Sequence, residues 1–242
     1  MKVKEKLHMG TDELIENGPI NIVILGDSVS HGSFLDEIDF DSAYWSVLRK
    51  KMIAIKNYVP INIINSAIGG IMAKTALNFV ESRATAFSPD LIIVCFGLND
   101  INGSKEDYLS SLAEIFEKCT ECGADVIFMT PNMLNTYVAD DTLEKYREYA
   151  AVTAQYQNSG RMDDYIYSAK KLAEDMNITV CDCYSKWKEL SKTEDTTMLL
   201  ANRINHPNEK MHELFAEELF KVIFGEDVSV SDKTENTMYK EN

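Results

Sequence analysis

The chain has 242 residues, 45% hydrophobic and 26% charged, the composition of an ordinary globular protein rather than a disordered or fibrous one. Its 24 basic residues face 39 acidic ones, a formal charge of −15. Such a surface repels phosphate backbones and anionic lipid, so neither a nucleic acid nor a membrane is an expected partner.

The first residues, MKVKEKLHMGTDELIENGP, carry charge throughout and contain no apolar stretch, so no secretory signal is expected. The cysteines (Cys95, Cys119, Cys122, Cys181 and Cys183) are odd in number. In a long chain without a secretory signal they read as reduced thiols of a cytoplasmic protein. Cys119 and Cys122 form a C-x-x-C, but no second pair lies at metal spacing, and the motif falls late in an amphipathic helix pattern.

Apolar runs rich in β-branched residues recur along the chain: INIVIL at 20–25, INII at 61–64, DLIIVCF at 90–96, ADVIFM at 124–129 and ITVCDC at 178–183. Their nearly unbroken apolar character predicts strands covered on both faces, as in a parallel sheet. The longest run, LIIVCFGL at 91–98, suits a buried strand and falls well short of a membrane span.

Between the strands, apolar residues fall at helical spacing. Tyr44, Val47, Leu48, Met52 and Ile55 share one face, as do Ala76, Phe79, Val80 and Phe87. Later faces run through Leu109 to Phe116, Ile166 to Met176 and Met211 to Ile223. This alternation predicts an α/β fold, a three-layer α/β/α sandwich around a mainly parallel five-stranded sheet. Residues 132–163 interrupt it as a tyrosine-rich helical insertion at the carboxyl edge of the sheet, where it would act as a lid, a pocket wall or an extra packing helix. Residues 1–225 are expected to form one domain, and 226–242 a polar tail.

Chemistry-bearing residues gather at the ends of these strands. The first runs into Gly26-Asp27-Ser28, the second into NSAIGG, ending at Gly69-Gly70, and the third into FGLND, with Asn99-Asp100. NRINHPN places His206 just before the last helix. Taken singly, Ser28 is a helix cap, the glycines a turn, Asn99-Asp100 a capping pair and His206 a loop residue. At successive strand ends of one sheet they suit a nucleophilic serine, a histidine base, and two oxyanion donors besides the serine N–H. His31, His8 and His212 rank below His206 as surface or packing residues. No H-E-x-x-H, P-loop or G-x-G-x-x-G occurs, so no metal and no cofactor is expected.

In this order the four blocks (GDS, the glycine after the second strand, G-x-N-D and H-P-N) resemble the GDSL/SGNH hydrolases, from about residue 20 to 224. The resemblance implies a flavodoxin-like sandwich and hydrolysis of carboxylic esters through an acyl-enzyme. By position it makes Ser28 the nucleophile, His206 the base, and Gly70 and Asn99 oxyanion donors. Gly70 is preferred to Gly69 because it stands five residues after Asn65, as in the family's N-x-x-x-x-G spacing. Val29 stands where the family name has Leu.

The family's acid three residues before the histidine is missing, and Arg203 occupies its place. Asn202 and Asn205, which flank it, are uncharged. His206 would then be oriented by a backbone carbonyl, which is the favoured arrangement, or by a carboxylate from elsewhere such as Asp182, or the enzyme would be weakened. The resemblance implies a small-molecule ester as the substrate, an acetylated carbohydrate first. The alternatives are a lysophospholipase or thioesterase activity, and a degenerate member that binds a carbohydrate or protein without turnover.

Overall fold

The computed structural model describes residues 1–226. The expected polar tail, beyond its first residue, lies outside the described residues. Five strands form one sheet: β1 (Ile20–Gly26), β2 (Ile61–Asn65), β3 (Leu91–Cys95), β4 (Asp125–Met129) and β5 (Thr179–Cys181). Their order is β2-β1-β3-β4-β5 and every pair is parallel. The central strands explain the unbroken apolar runs, since every residue of β3 is buried and in β1 only Asn21 is partly exposed. The edge strands β2 and β5 are less covered and carry polar residues such as Asn62 and Thr179.

Eleven α-helices accompany the sheet among the described residues. They are α1 (Lys2–Lys6), α2 (Thr11–Asn17), α3 (Ser28–His31), α4 (Tyr44–Ile55), α5 (Ala73–Ala76), α6 (Val80–Arg83), α7 (Lys105–Glu121), α8 (Arg147–Asn158), α9 (Arg161–Asp175), α10 (Cys183–Leu190) and α11 (Glu209–Phe224). Helix α4 packs against α11, and α7 packs against α5 and α9, which makes the two outer layers. The apolar faces of these helices close over one hydrophobic cluster, in which Phe116 meets Phe128 edge-on at 5.6 Å. Complete burial of one such side chain is worth roughly 1.5–3 kcal/mol. Val3 and Leu7 are also fully buried, so the charged N-terminal segment supplies apolar anchors to the core. No helix among the described residues is long and apolar enough to cross a membrane.

Two stretches differ from the expected helices. The 76–87 face is broken, because Phe79 and Ala84 leave helical geometry and Phe87 ends exposed on a 3-10 turn. The insertion is helical only in its second half. Residues 130–143 follow an irregular path in which Asn135 Nδ2 donates to the carbonyls of Tyr137 and Ala150, and Asn132 Nδ2 to those of Met133 and Asn205. Side-chain amides that satisfy backbone groups in this way compete with a helix.

In the order 2-1-3-4-5 the chain leaves β1 toward one side and β3 toward the other, which opens a crevice at their carboxyl ends. Gly26 closes β1 at that point. A Cβ there would stand 2.4 Å from Ser30 Oγ and 2.8 Å from the Cys95 carbonyl. Gly26→Ala is therefore expected to cost about 1–3 kcal/mol by overpacking, measured by denaturant unfolding. Unchanged stability would mean that the strand end has slack.

Candidate active site

The turn after Gly26 sets the first functional side chain. Asp27 caps α3, its Oδ1 accepting from Val29 N at 3.1 Å. Ser28 thus opens a single helical turn directly at the sheet edge, with only 7% of its surface exposed. The turn is fixed from behind by Trp45 Nε1 and Asn65 Nδ2, both donating to the Ser30 carbonyl, and by a 2.9 Å bond between Ser30 Oγ and Tyr44 OH.

His206 reaches this serine from the opposite end of the chain. Its Nε2 lies 2.9 Å from Ser28 Oγ, and its Nδ1 lies 2.6 Å from the carbonyl oxygen of Phe34. A carbonyl only accepts, so Nδ1 carries the hydrogen and Nε2 presents its lone pair to the serine hydroxyl. Burial holds the imidazole pKa below its ordinary 6.5, with the Phe34 bond opposing that shift. The ring is therefore neutral near pH 7, the form that accepts a proton.

Phe34 is itself held. Its amide donates to Glu37 O, and its ring packs 4.8 Å from that of His212. His212 is fully buried, with Nδ1 accepting from Tyr44 N. Burial, and next the nearby His206, push its pKa down to about 3. It is a neutral packing residue.

The His206 loop is built around an amide. Asn202 Oδ1 accepts from three successive backbone donors, Ile204 N, Asn205 N and His206 N, at 2.9–3.0 Å. Arg203 stands at the apex with a left-handed φ of 61°, and its guanidinium turns away to Asp141 at 2.9 Å. Asp182 caps α10 through Ser185 N and pairs with Lys170 at 2.7 Å. The Nδ1 partner of His206 is the Phe34 carbonyl.

Two further groups line the same cleft as the serine. Gly70 adopts φ 79°, left-handed backbone that favours glycine, in a loop tied to β1 by Ser66 N and Ile68 N. Asn99 follows β3, and its Nδ2 donates to the Ile71 carbonyl at 3.2 Å with Asp27 Oδ2 at 3.5 Å. An amide nitrogen has two hydrogens, and here one is on the Ile71 carbonyl and the other on the long 3.5 Å contact to Asp27 Oδ2, the weaker bond and the one a ligand would displace. Ser28, Gly69, Gly70, Asn99 and His206 line one cleft of about 320 Å³. Beneath it lie two buried carboxyls. Burial pushes Asp27 up to about 7, its Val29 bond opposing and Asp100 assisting, and burial likewise raises Asp100 to about 6.

Larger cavities of about 640 and 670 Å³ lie beside α11 and at the α8–α9 turn, and neither contains Ser28 or His206. Chemistry rather than size locates the site. His31 sits beside Gly69, its ring 6.1 Å from that of Phe40. No group of three or more His, Cys, Asp or Glu able to hold a metal ion occurs among the described residues.

A serine, a neutral histidine and convergent donors at the switch point of a parallel α/β/α sandwich can carry out acyl transfer, the chemistry of a carboxylic ester hydrolase. The chain belongs to the GDSL-like lipase/acylhydrolase family, whose model matches residues 24–214. It is a carboxylic ester hydrolase of that family.

Solved structures share the fold at low identity. Axe2, an acetylxylan esterase from Geobacillus stearothermophilus, is 17% identical, with a TM-score of 0.67 over 89% of this chain and 97% of its own. A putative GDSL-like lipase from Parabacteroides merdae is 19% identical, with a TM-score of 0.63 over 84% and 94%. An α/β-hydrolase enzyme from the metagenome of Lake Arreo, Spain, is 18% identical, with a TM-score of 0.65 over 85% and 95%. No curated protein matches the chain in sequence.

The residues that sequence reasoning did not reach are Phe34, which acts through its backbone, and Leu35, Tyr146 and Tyr149 on the cleft walls. Asn202 builds the histidine loop more than Arg203 does. Removing its side chain strands three inward-facing N–H groups, at about 1–3 kcal/mol. The Arg203–Asp141 pair is open to solvent on its Asp141 side, where water and salt screen it. Asn202→Ala is therefore expected to lower the denaturation midpoint more than Arg203→Met, and the reverse order would show that the ion pair sets the loop.

Proposed function

We propose that the chain is a small-acyl esterase, most specifically a deacetylase of a carbohydrate or similar polar alcohol, with residues 1–225 acting as one catalytic unit. The observation that carries this reading is the relay from Ser28 Oγ to His206 Nε2 at 2.9 Å, with the Phe34 carbonyl 2.6 Å from Nδ1. Ser28 Oγ attacks the ester carbonyl carbon as His206 Nε2 takes its proton. The oxyanion is held by Ser28 N, Gly70 N and Asn99 Nδ2. Collapse of the tetrahedral intermediate breaks the bond to the alcohol oxygen, which leaves with the proton from His206. Water, deprotonated by the same imidazole, then releases the acid and restores Ser28.

A cleft of about 320 Å³ supports a small substrate, at the low end of ligand-site volumes. The formal charge of −15 disfavours anionic lipids and nucleotide-bearing thioesters. Axe2 is described as an acetylxylan esterase, and its serine-to-alanine and histidine-to-alanine variants as catalytic mutants, which supports the same chemistry here. All five thiols are free, which supports a reducing, cytoplasmic compartment.

Hydrolysis of p-nitrophenyl acetate and labelling by a fluorophosphonate test the reading. Ser28→Ala is expected to abolish both, and His206→Ala to reduce turnover comparably. Asn99→Ala should lower kcat by about 10²–10³ with little change in KM, the usual cost of one oxyanion donor. An unlabelled, inert but folded wild type would overturn the assignment, and a preference for long acyl chains would replace the acetyl ester with a lipid ester.

The pH profile follows from the sign of the histidine shift. Burial lowers the His206 pKa, so its neutral form persists below pH 6.5. The acid limb of kcat/KM is therefore expected below 6.5. A limb at or above that value would show that His206 is stabilised as a cation and lacks the environment described.

A further inference from the structure

Resting on the esterase reading above, we infer that the insertion is a fixed wall of the cleft rather than a moving lid, and that Tyr146 and Tyr149 bind the ring of a cyclic alcohol. Three sets of contacts tie the insertion to the loops that carry the site. Toward the Asn99 loop, Tyr149 OH accepts from Asn102 Nδ2 at 3.2 Å, and the same amide donates to the Asn99 carbonyl at 3.1 Å. Toward the His206 loop, Asn135 N donates to Ile204 O at 2.9 Å and Asn132 Nδ2 to Asn205 O at 2.9 Å, with the Arg203–Asp141 pair alongside. Toward the Phe34 segment, Lys145 pairs with Asp36 at 3.2 Å. The Asn135 and Asn132 bonds are buried or part-buried, and a lid would have to break them at every opening.

A wall held in this way is preorganised, and preorganisation is what a binding surface needs for affinity. Tyr146 and Tyr149 stand three residues apart, where the 3-10 turn Glu144–Tyr146 runs into α8, and both line the cleft with Ser28 and His206. Each is only partly buried, which leaves ring surface for a ligand. Leu35, 46% exposed, supplies an apolar group to the same cleft. Asn205 lines it too, with its Oδ1 engaged by Asn202 Nδ2 and its own Nδ2 without an acceptor among the described residues.

Aromatic faces, an apolar contact and a free amide donor suit a saturated ring with C–H faces and equatorial hydroxyls, that is, a pyranoside. An acyclic alcohol would fill neither the rings nor the donor. The tyrosines are specificity-determining residues, and they act on the alcohol side of the ester without touching the reacting carbonyl.

The test compares two esters of the same acyl group, vinyl acetate and a mono-acetylated methyl pyranoside, on wild type, Tyr146→Ala, Tyr149→Ala, and the Phe variants of both. Each Ala variant is expected to raise KM for the pyranoside about tenfold, the worth of one aromatic contact, with a much smaller fall in kcat/KM for vinyl acetate. The Phe variants, which keep the ring, should stay within about twofold of wild type, the worth of one weak polar contact. Equal losses on both esters would show that the tyrosines only hold the fold and would overturn the inference, as would Ala variants indistinguishable from wild type. A wild type active on vinyl acetate but not on the pyranoside would reject the ring site while leaving the esterase intact. One inert on both esters would reject the esterase reading itself.

Discussion

The hydrogen bond between His206 Nδ1 and the Phe34 carbonyl decides whether the rest of the site can work. In serine hydrolases an acid ordinarily fixes the imidazole tautomer and stabilises its charged form, and replacing it with an amide in a protease triad costs about 10⁴ by selecting the wrong tautomer. A carbonyl avoids that failure, because it can only accept and so leaves the lone pair on Nε2. What it gives up is charge, since a hydrogen bond to an ionised acceptor is about twice as strong as a neutral one. In the proposed mechanism this arrangement orients His206 and stabilises its cation only in part, in keeping with an imidazole whose pKa lies below the ordinary value.

Much of the surrounding structure serves that one carbonyl. Phe34 is pinned by the Glu37 turn on one side and by the neutral His212 ring on the other, and His212 is in turn fixed by Tyr44 N at the start of α4. The imidazole approaches on a loop whose three inward N–H groups converge on Asn202. With the histidine oriented from Phe34, the position three residues before it has no catalytic duty. Arg203 uses that freedom to reach Asp141 and tie the loop to the insertion.

The same division between backbone and side chain governs what could be read from the sequence. The strands were legible because burial on both faces of a parallel sheet demands nearly continuous apolar residues, and their carboxyl ends were legible because Gly26-Asp27-Ser28 and Asn99-Asp100 break those runs with polar groups. The 76–87 segment misled because Ala76 and Val80 do face the core, while the backbone between and after them departs from helical geometry. The insertion misled similarly, since asparagine side chains, and not a helical ladder, satisfy its first half. Arg203 in place of an acid pointed to a backbone carbonyl as the anchor for His206, but which carbonyl left no trace, because any residue at position 34 carries one. The tyrosine-rich insertion was legible as a possible pocket wall, but not which of its tyrosines line the cleft, since that depends on the path of the irregular residues before them.

The floor of the cleft adds a constraint of its own. Asp27 and Asp100 are buried beneath Asn99, and burial raises both toward neutrality, to about 7 and about 6. In the proposed mechanism, full ionisation of the pair would put two negative charges near the oxyanion assigned to Asn99, each opposing it in a medium that screens poorly. A raised pKa lets a proton remain on that pair near neutral pH, so less charge competes with the developing oxyanion. It also weakens the pull of Asp27 Oδ2 on Asn99 Nδ2, already a long contact at 3.5 Å. Asp27, which follows the last residue of β1 and caps α3, thus serves as an acceptor while burial limits its charge. It fills both roles between the strand and the serine it presents.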